Sequence, residues 1–144
     1  MKIFNKRARF EYELTGDGVE AGVSLKGAEA KSLREGRGDI SQSFVKIIAG
    51  EAFWVNANIP ATSIQNYDST HTRKLLMHRA EILSLLTKMK QKKLQIVPLR
   101  VYTKGRLIKL YLELGKPKRK FEKKEAIKRK DIQRDIEKEF KGSF

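Results

Sequence analysis

The chain has 144 residues, which is enough for one ordinary domain and a small extra element but not for a second core. Its 32 Lys and Arg residues against 17 acidic ones give a net charge of +15, which favours nucleic acid as a partner and anionic membrane as the alternative. The absence of cysteine excludes disulfides, thiolate metal sites and cysteine nucleophiles, and no apolar run is long enough to span a membrane.

Short strands and one helix are predicted in the first third of the chain. Residues 10–14 alternate apolar and polar side chains, as a half-buried strand does, and residues 15–18 form a cluster of turn residues. Residues 19–25 predict a second strand. The spacing then becomes helical over residues 27–35, and two glycines follow that end the helix.

A hairpin, a loop, a long helix and two strong strands are predicted next. Two apolar runs flank a short turn within residues 44–55 and indicate the hairpin, whereas residues 57–74 show no clear period and predict a long loop. Residues 75–93 have one broad apolar face and one basic face, which is typical of a surface helix. Residues 95–102 contain a proline, so this strand is expected at an edge or with a bulge, and residues 107–114 alternate cleanly.

These elements predict a mainly β fold with helices. About six short strands suggest a small closed barrel with flanking helices, and the OB-type barrel is the natural candidate because it binds nucleic acid through its strand faces and loops. A shift in composition at residues 115–118 separates this predicted barrel, residues 1–114, from a basic tail, residues 115–144. The tail carries +6 of the +15 net charge.

The tail is rich in helix formers but has little to pack with. Its apolar side chains Ile132, Ile136 and Phe140 recur every fourth residue and make a stripe only one residue wide. Isolated helices of this length are marginal in water. The tail is therefore predicted to be disordered when free and helical when its charges meet phosphates.

No pattern of catalytic residues is recognisable. The sequence has no carboxylate pair placed for acid–base work, no glycine-rich phosphate loop, and two histidines, His71 and His78, without other ligands around them. We therefore expect no enzyme activity, no cofactor and no metal, and Trp54 is expected in the core rather than at a stacking surface. Two classes remain open at this point: a specific RNA-binding module, and a general OB-type ribosomal or single-strand-binding protein. A third, an RNA nuclease, would need a catalytic cluster that the sequence does not show.

Seven segments, in chain order, resemble the SsrA-binding protein family, also called small protein B, which is the partner of transfer-messenger RNA in bacteria. The most recognisable run is residues 27–36, where Glu29, Lys31, Ser32, Leu33 and Arg34 match. The other segments are residues 5–12, 20–23, 50–53, 72–76, 97–102 and 122–131. Phe10 and Phe121 depart from the family, which often has His at the first position and His or Tyr at the second.

The resemblance implies an RNA-binding protein of trans-translation. Such a protein binds the tRNA-like domain of transfer-messenger RNA with its barrel, and elongation factor Tu helps to deliver the complex to the A site of a stalled 70S ribosome. The tail would then enter the empty mRNA channel at the decoding centre. This implies a cytoplasmic, monomeric, non-enzymatic protein without cofactor, metal or membrane partner.

The resemblance also assigns site residues. Those expected to bind transfer-messenger RNA are Asn5, Lys6, Arg7, Arg9, Glu29, Lys31, Arg34, Arg73 and Lys74. Those expected to contact the ribosome are Phe10, Lys118, Arg119, Phe121, Glu122, Lys123, Lys124, Ile127, Lys128 and Lys130. The residues alone favour an ordinary charged surface helix around Glu29. The resemblance instead predicts that Glu29 reads a base edge or orients an arginine, while Lys31 and Arg34 hold phosphates.

Overall fold

The computed structural model describes residues 1–119. Over these residues the chain forms a seven-stranded antiparallel sheet and three helices, which confirms a mainly β fold with helices. The elements in chain order are β1 (Lys2–Phe4), α1 (Ala8–Glu11), β2 (Tyr12–Val23), α2 (Gly27–Arg34), β3 (Phe44–Ile48), β4 (Glu51–Val55), β5 (Arg73–Leu76), α3 (Arg79–Lys92), β6 (Gln95–Lys104) and β7 (Leu107–Pro117). The predictions made for residues 120–144 lie outside the described residues.

The sheet is curved but not closed. Its strand order is β1-β6-β7-β2-β5-β4-β3, and β3 returns to within 8 Å of β6. Within residues 1–119 no ladder of hydrogen bonds joins the two end strands, so the predicted six-stranded closed barrel is a seven-stranded sheet with an open seam. Two of the seven strands, β1 and β5, were not predicted, whereas the strands predicted at residues 10–14 and 19–25 form one strand, β2. β1 pairs with β6 over only three residues, too short a run to show alternation in the sequence.

The predicted turn at residues 15–18 is a bulge inside one long strand. β2 runs from Tyr12 to Val23, and both of its halves pair with β7, with a shift of register between Leu14 and Gly18. The Thr15 hydroxyl donates to the carbonyl of Leu114 at 3.0 Å, which ties the bulge to β7. Turn residues therefore mark a bulge here, because a bulge needs the same backbone freedom as a turn.

The boundary between the predicted long loop, residues 57–74, and the predicted long helix, residues 75–93, is wrong, because a short strand lies there. Residues 73–76 form β5, which pairs with both β2 and β4, and α3 begins only at Arg79. The backbone N–H of His78 donates to the Glu81 carboxylate at 3.1 Å, which satisfies a donor at the start of the helix. The helix ends at Lys92, and the residue that caps it, Lys93, has a φ of 53°.

The strand before the tail continues past the predicted boundary. β7 reaches Pro117, which pairs with Tyr12 of β2, so the sheet includes three residues assigned to the tail by composition. The backbone N–H of Lys118 then donates to the Glu11 carbonyl at 2.9 Å, and its side chain donates to the Arg9 carbonyl at 2.7 Å. Lys118, the first residue after β7, therefore lies beside the N-terminal helix α1.

The core fills the space enclosed by the curved sheet. Trp54 of β4 is fully buried within it, which confirms its expected place. Among the described residues its indole N–H has no hydrogen-bond partner, so shape and apolar contact hold it. The helix α3 contributes Ile82 and Leu85 to the same core. The predicted hairpin is confirmed as β3 and β4.

Candidate nucleic-acid interface

A buried ion pair joins the two residues on which the predicted interface most depended. Glu29 on α2 and Arg73 at the start of β5 have side chains that are 1% and 0% exposed. The Nε atom of Arg73 donates to the Oε2 atom of Glu29 at 2.7 Å. The pair therefore ties a helix to a strand across 44 residues of sequence.

Arg73 uses its remaining donors to hold the loop before β5. Its Nη1 atom donates to the carbonyl oxygens of Ala57, at 2.7 Å, and His71, at 3.1 Å. Its Nη2 atom donates to the Ser69 carbonyl and the Tyr67 hydroxyl, both at 2.9 Å. The guanidinium thus satisfies backbone groups that the loop itself cannot satisfy, since the loop has no regular structure.

Glu29 collects donors from the same loop. The Tyr67 hydroxyl lies 2.8 Å and the Nε2 atom of His71 lies 2.8 Å from its Oε2 atom, while the Lys26 backbone N–H donates to Oε1 at 2.9 Å. Burial alone would raise the pKa of Glu29, but the hydrogen bonds outweigh it, and the pKa falls from 4.5 to about 2. Glu29 is therefore a carboxylate at neutral pH.

This geometry corrects the RNA contacts expected of Glu29 and Arg73, and it fits the alternative in which Glu29 orients an arginine. Neither side chain reaches the surface, and every polar group of Arg73 is already bonded inside the fold. A direct phosphate contact by Arg73, or a base contact by Glu29, would require leaving a charge buried without its partner, which is costly. Their contribution to any interface is to fix the helix and loop that carry exposed residues.

We expect acid to weaken the fold through Glu29. Its pKa is about 2 in the folded chain against 4.5 ordinarily, so its contribution is complete above about pH 4.5 and is lost as the pH falls towards 2. The loss is up to about 3 kcal/mol. Urea unfolding between pH 6 and pH 2 measures it, with Glu29→Gln as the variant that should lose the share of the pH dependence due to Glu29. An unchanged slope in Glu29→Gln would contradict the assignment.

The exposed cations near this pair sit on α2 and β5. Lys31 and Arg34 face solvent on α2, and an Nη atom of Arg34 donates to the Arg106 carbonyl at 2.7 Å, which orients its guanidinium. Lys74 follows buried Arg73 on β5 and points outward, where it pairs with Glu51 at 3.4 Å. These three side chains remain available to phosphate, since surface ion pairs such as this one are weak.

The predicted RNA-binding residues near the N-terminus, Asn5, Lys6, Arg7 and Arg9, also include one that is bonded inside the fold and others that are exposed. Asn5 is used inside the fold, because its side chain donates to the Pro98 carbonyl at 2.8 Å and accepts from the Arg7 backbone N–H at 3.1 Å. Its side chain therefore caps this turn and is not free for the RNA contact expected of it. Lys6, Arg7 and Arg9 are exposed, and Arg7 pairs with Glu11 at 3.2 Å.

Three of the residues expected at the ribosome are within the described chain. Phe10 on α1 is half-buried, Lys118 is half-buried against α1, and Arg119 is exposed. The Lys118 ammonium donates to the carbonyl of Arg9, the neighbour of Phe10 on α1, so Phe10 and Lys118 lie at the same end of the sheet. The others, Phe121, Glu122, Lys123, Lys124, Ile127, Lys128 and Lys130, lie outside the described residues.

Tyr67 and His71 belong to the site but escaped the sequence analysis. They lie in a loop without periodicity, and the sequence places no other ligand near His71. Their rings meet edge to face at 5.7 Å between centroids, and both contact Glu29. The sequence offers only an indirect indication of their role. If Arg73 is buried, its guanidinium needs several hydrogen-bond acceptors, and the loop that precedes it in the chain can supply them.

Comparison with known proteins decides the family. The SmpB protein family model matches residues 2–142. The chain belongs to the SmpB protein family. The SsrA-binding protein of Sulfurihydrogenibium sp. (strain YO3AOP1) is 49% identical, over 97% of this chain and 93% of that protein. The SsrA-binding protein of Bacillus subtilis (strain 168) is 42% identical, over 96% of this chain and 90% of that protein.

A solved structure gives the same result for the fold of this SmpB family member. The structure described as "tmRNA-SmpB: a journey to the center of the bacterial ribosome" superposes with a TM-score of 0.69 at 40% sequence identity. The match covers 88% of this chain and 94% of that one. Separately, none of the helices in residues 1–119 has the length and apolar character needed to cross a bilayer.

Proposed function

We propose that this chain binds transfer-messenger RNA and accompanies it to stalled ribosomes in trans-translation. The observation that carries the proposal is membership of the SmpB family over residues 2–142, with SsrA-binding proteins up to 49% identical. The solved relative in a transfer-messenger RNA and ribosome complex supports the same partners. A net charge of +15 suits a protein whose partners are both RNA.

In this proposal the curved sheet holds the tRNA-like domain and the tail addresses the ribosome. The exposed cations Lys31, Arg34 and Lys74 contact the RNA backbone, with Lys6, Arg7 and Arg9 as a second group. Phe10 and residues 118–144 face the decoding centre and the empty mRNA channel. Elongation factor Tu accompanies the complex, and the protein works as a monomer in the cytoplasm.

The protein makes and breaks no bond in this proposal. Its contribution is shape and charge, since the RNA carries both the amino acid and the tag template. Among residues 1–119 no group of three or more His, Asp or Glu side chains is placed to hold a metal ion. The Glu29 carboxylate, whose pKa is lowered to about 2, accepts hydrogen bonds only from donors inside the fold and lies away from solvent. It is therefore not placed for acid–base catalysis.

A gel shift tests this function. The full chain should bind the isolated tRNA-like domain more tightly than an unrelated elongator tRNA at the same salt concentration, because shape as well as charge is recognised. The double variant Lys31→Ala, Arg34→Ala should weaken binding about tenfold or more. Exposed Lys92 on α3 supplies the control, Lys92→Ala, with little change. Equal affinity for the two RNAs would overturn the proposal.

A further inference from the structure

The outer face of four strands carries a row of aromatic and charged side chains. Residues directly opposite each other in an antiparallel ladder share a face of the sheet. Phe4 of β1 pairs with Arg100 of β6, Arg100 pairs with Tyr111 of β7, and Tyr111 pairs with Glu20 of β2. The four side chains therefore form one row across β1, β6, β7 and β2.

A second row lies beside the first. Lys2 pairs with Tyr102, and Tyr102 pairs with Lys109, one step along the same strands. The alternate residues of these strands, such as Val101 and Leu110, are buried in the core, so both rows face outward. Phe4 is 56% exposed. We call this surface, made of Lys2, Phe4, Arg100, Tyr102, Tyr111 and Lys109, the outer aromatic face.

Arg100 is held at the centre of the outer aromatic face by rings. Its guanidinium carbon lies 4.2 Å from the ring centroid of Tyr111 and 5.8 Å from that of Tyr102. Within residues 1–119 no hydrogen bond or ion pair occupies its N–H groups. A guanidinium positioned in this way is ready to stack on a base or to donate to phosphate.

The fold makes room for Tyr111 to lie across β2. A Cβ atom added to Gly18 would come 1.9 Å from the Tyr111 hydroxyl oxygen, so the ring end occupies the space that any other residue would fill. Gly18 sits next to the bulge of β2, where the strand resumes its pairing with β7. Tyr111 is half-buried, since its ring lies across Gly18 and also packs against the apolar cluster of Ala8, Val97 and Leu99.

The acidic residue of the first row is neutralised within the face. Glu20 accepts hydrogen bonds from the Tyr102 hydroxyl and from the Lys104 ammonium, the latter at 3.3 Å. Burial and the Glu20 carboxylate raise the pKa of Tyr102 to about 12, so its hydroxyl stays protonated and keeps donating. The cations Lys2, Arg100 and Lys109 are left to give the face its positive charge.

We propose that the outer aromatic face binds an unpaired stretch of RNA by stacking its bases. Exposed and half-buried aromatic rings interleaved with cations on one sheet face suit single strands, whose bases expose their ring faces while the phosphates follow the lysines. Duplex RNA hides those ring faces, and an acidic peptide offers few flat rings. The residues differ from those of the proposed tRNA-like-domain contact, so this inference goes beyond the proposed function.

Fluorescence anisotropy of the full chain with an unstructured RNA of about ten nucleotides tests the proposal. Phe4→Ala and Arg100→Ala should each weaken binding about tenfold, since each removes a stacking partner. Phe4 and Arg100 lie outside the core, so both variants should fold, which circular dichroism verifies. The matched control is Phe44→Ala on β3, an exposed phenylalanine elsewhere, which should bind as the unchanged chain does.

Salt dependence separates stacking from charge. Phe4→Ala should lower the affinity without changing the slope of log affinity against log salt, whereas Lys2→Ala should reduce the slope by roughly 0.7. An equal loss in Phe44→Ala, no loss in Phe4→Ala, or no binding of the oligonucleotide would overturn the proposal. None of these outcomes alters the gel shift with the tRNA-like domain, so the two proposals fail separately.

Discussion

Replacing Arg73 with alanine should lower the free energy of unfolding by about 3–5 kcal/mol, because it leaves the Glu29 carboxylate buried without its cation. It also leaves the carbonyl oxygens of Ala57 and Ser69 without their donor. The loop before β5 should open first. Urea unfolding of the full chain, followed by circular dichroism, measures the change.

The next residue on the same strand is the matched control. Lys74 is half-exposed and pairs only with Glu51 at 3.4 Å, so Lys74→Ala should change the free energy of unfolding by less than about 1 kcal/mol. RNA binding by the folded protein should show the reverse order. Lys74→Ala should weaken it more than Arg73→Ala, because Lys74→Ala removes a surface cation. A fully stable Arg73→Ala that loses only RNA binding would show that Arg73 is a phosphate clamp after all.

Removing residues 120–144 should abolish ribosome rescue and leave binding of the tRNA-like domain within about tenfold of the full chain. The exposed cations proposed to bind this RNA lie on α2, β5 and the N-terminal segment, all of which the 1–119 chain keeps. The remaining loss reflects the positive charges removed with the tail, which strengthen association with any RNA. Gel shift and a rescue assay measure the two effects.

The place of the cut is part of this prediction. A chain of residues 1–114 would also lose Gly115 and Pro117, which pair with Leu14 and Tyr12 of β2. Each lost backbone hydrogen bond costs about 1 kcal/mol, so this shorter chain should be measurably less stable than 1–119. If the 1–119 chain is folded but no longer binds the tRNA-like domain, the proposed division between sheet and tail is wrong.

Much of the fold follows from local patterns. The hairpin of β3 and β4 and the helix α2 are found where alternation and helical spacing predict them, because both depend on contacts between near neighbours. The proline in β6 predicts an edge or a bulge, and the register of β6 against β7 shifts between Pro98 and Arg100. These features need no knowledge of the remote parts of the chain.

The predictions of secondary structure are wrong where the conformation of a segment depends on a strand that is remote in the sequence. The turn residues 15–18 become a bulge because β7, almost a hundred residues later, pairs with both sides of them. Residues 73–76 form a strand because β2 and β4 flank them. β7 continues past the change of composition at residue 115 because its last residues pair with β2 and the next residue, Lys118, bonds to α1.

The site shows the same limit. Family resemblance points to Glu29 and Arg73, but only their burial shows that they face each other rather than RNA. Tyr67 and His71 complete the cluster from a loop whose sequence has no pattern. The outer aromatic face was likewise hidden, because Phe4, Arg100 and Tyr111 come together only through the pairing of β1, β6 and β7.

Peptide tagging by purified components tests the central claim most directly. Ribosomes stalled on a message without a stop codon are mixed with charged transfer-messenger RNA and elongation factor Tu, with or without this protein. Tagged peptide should form with the full chain, and neither without the protein nor with the 1–119 chain. Equal tagging in the absence of the protein, or none with the full chain, would contradict the proposed role in trans-translation.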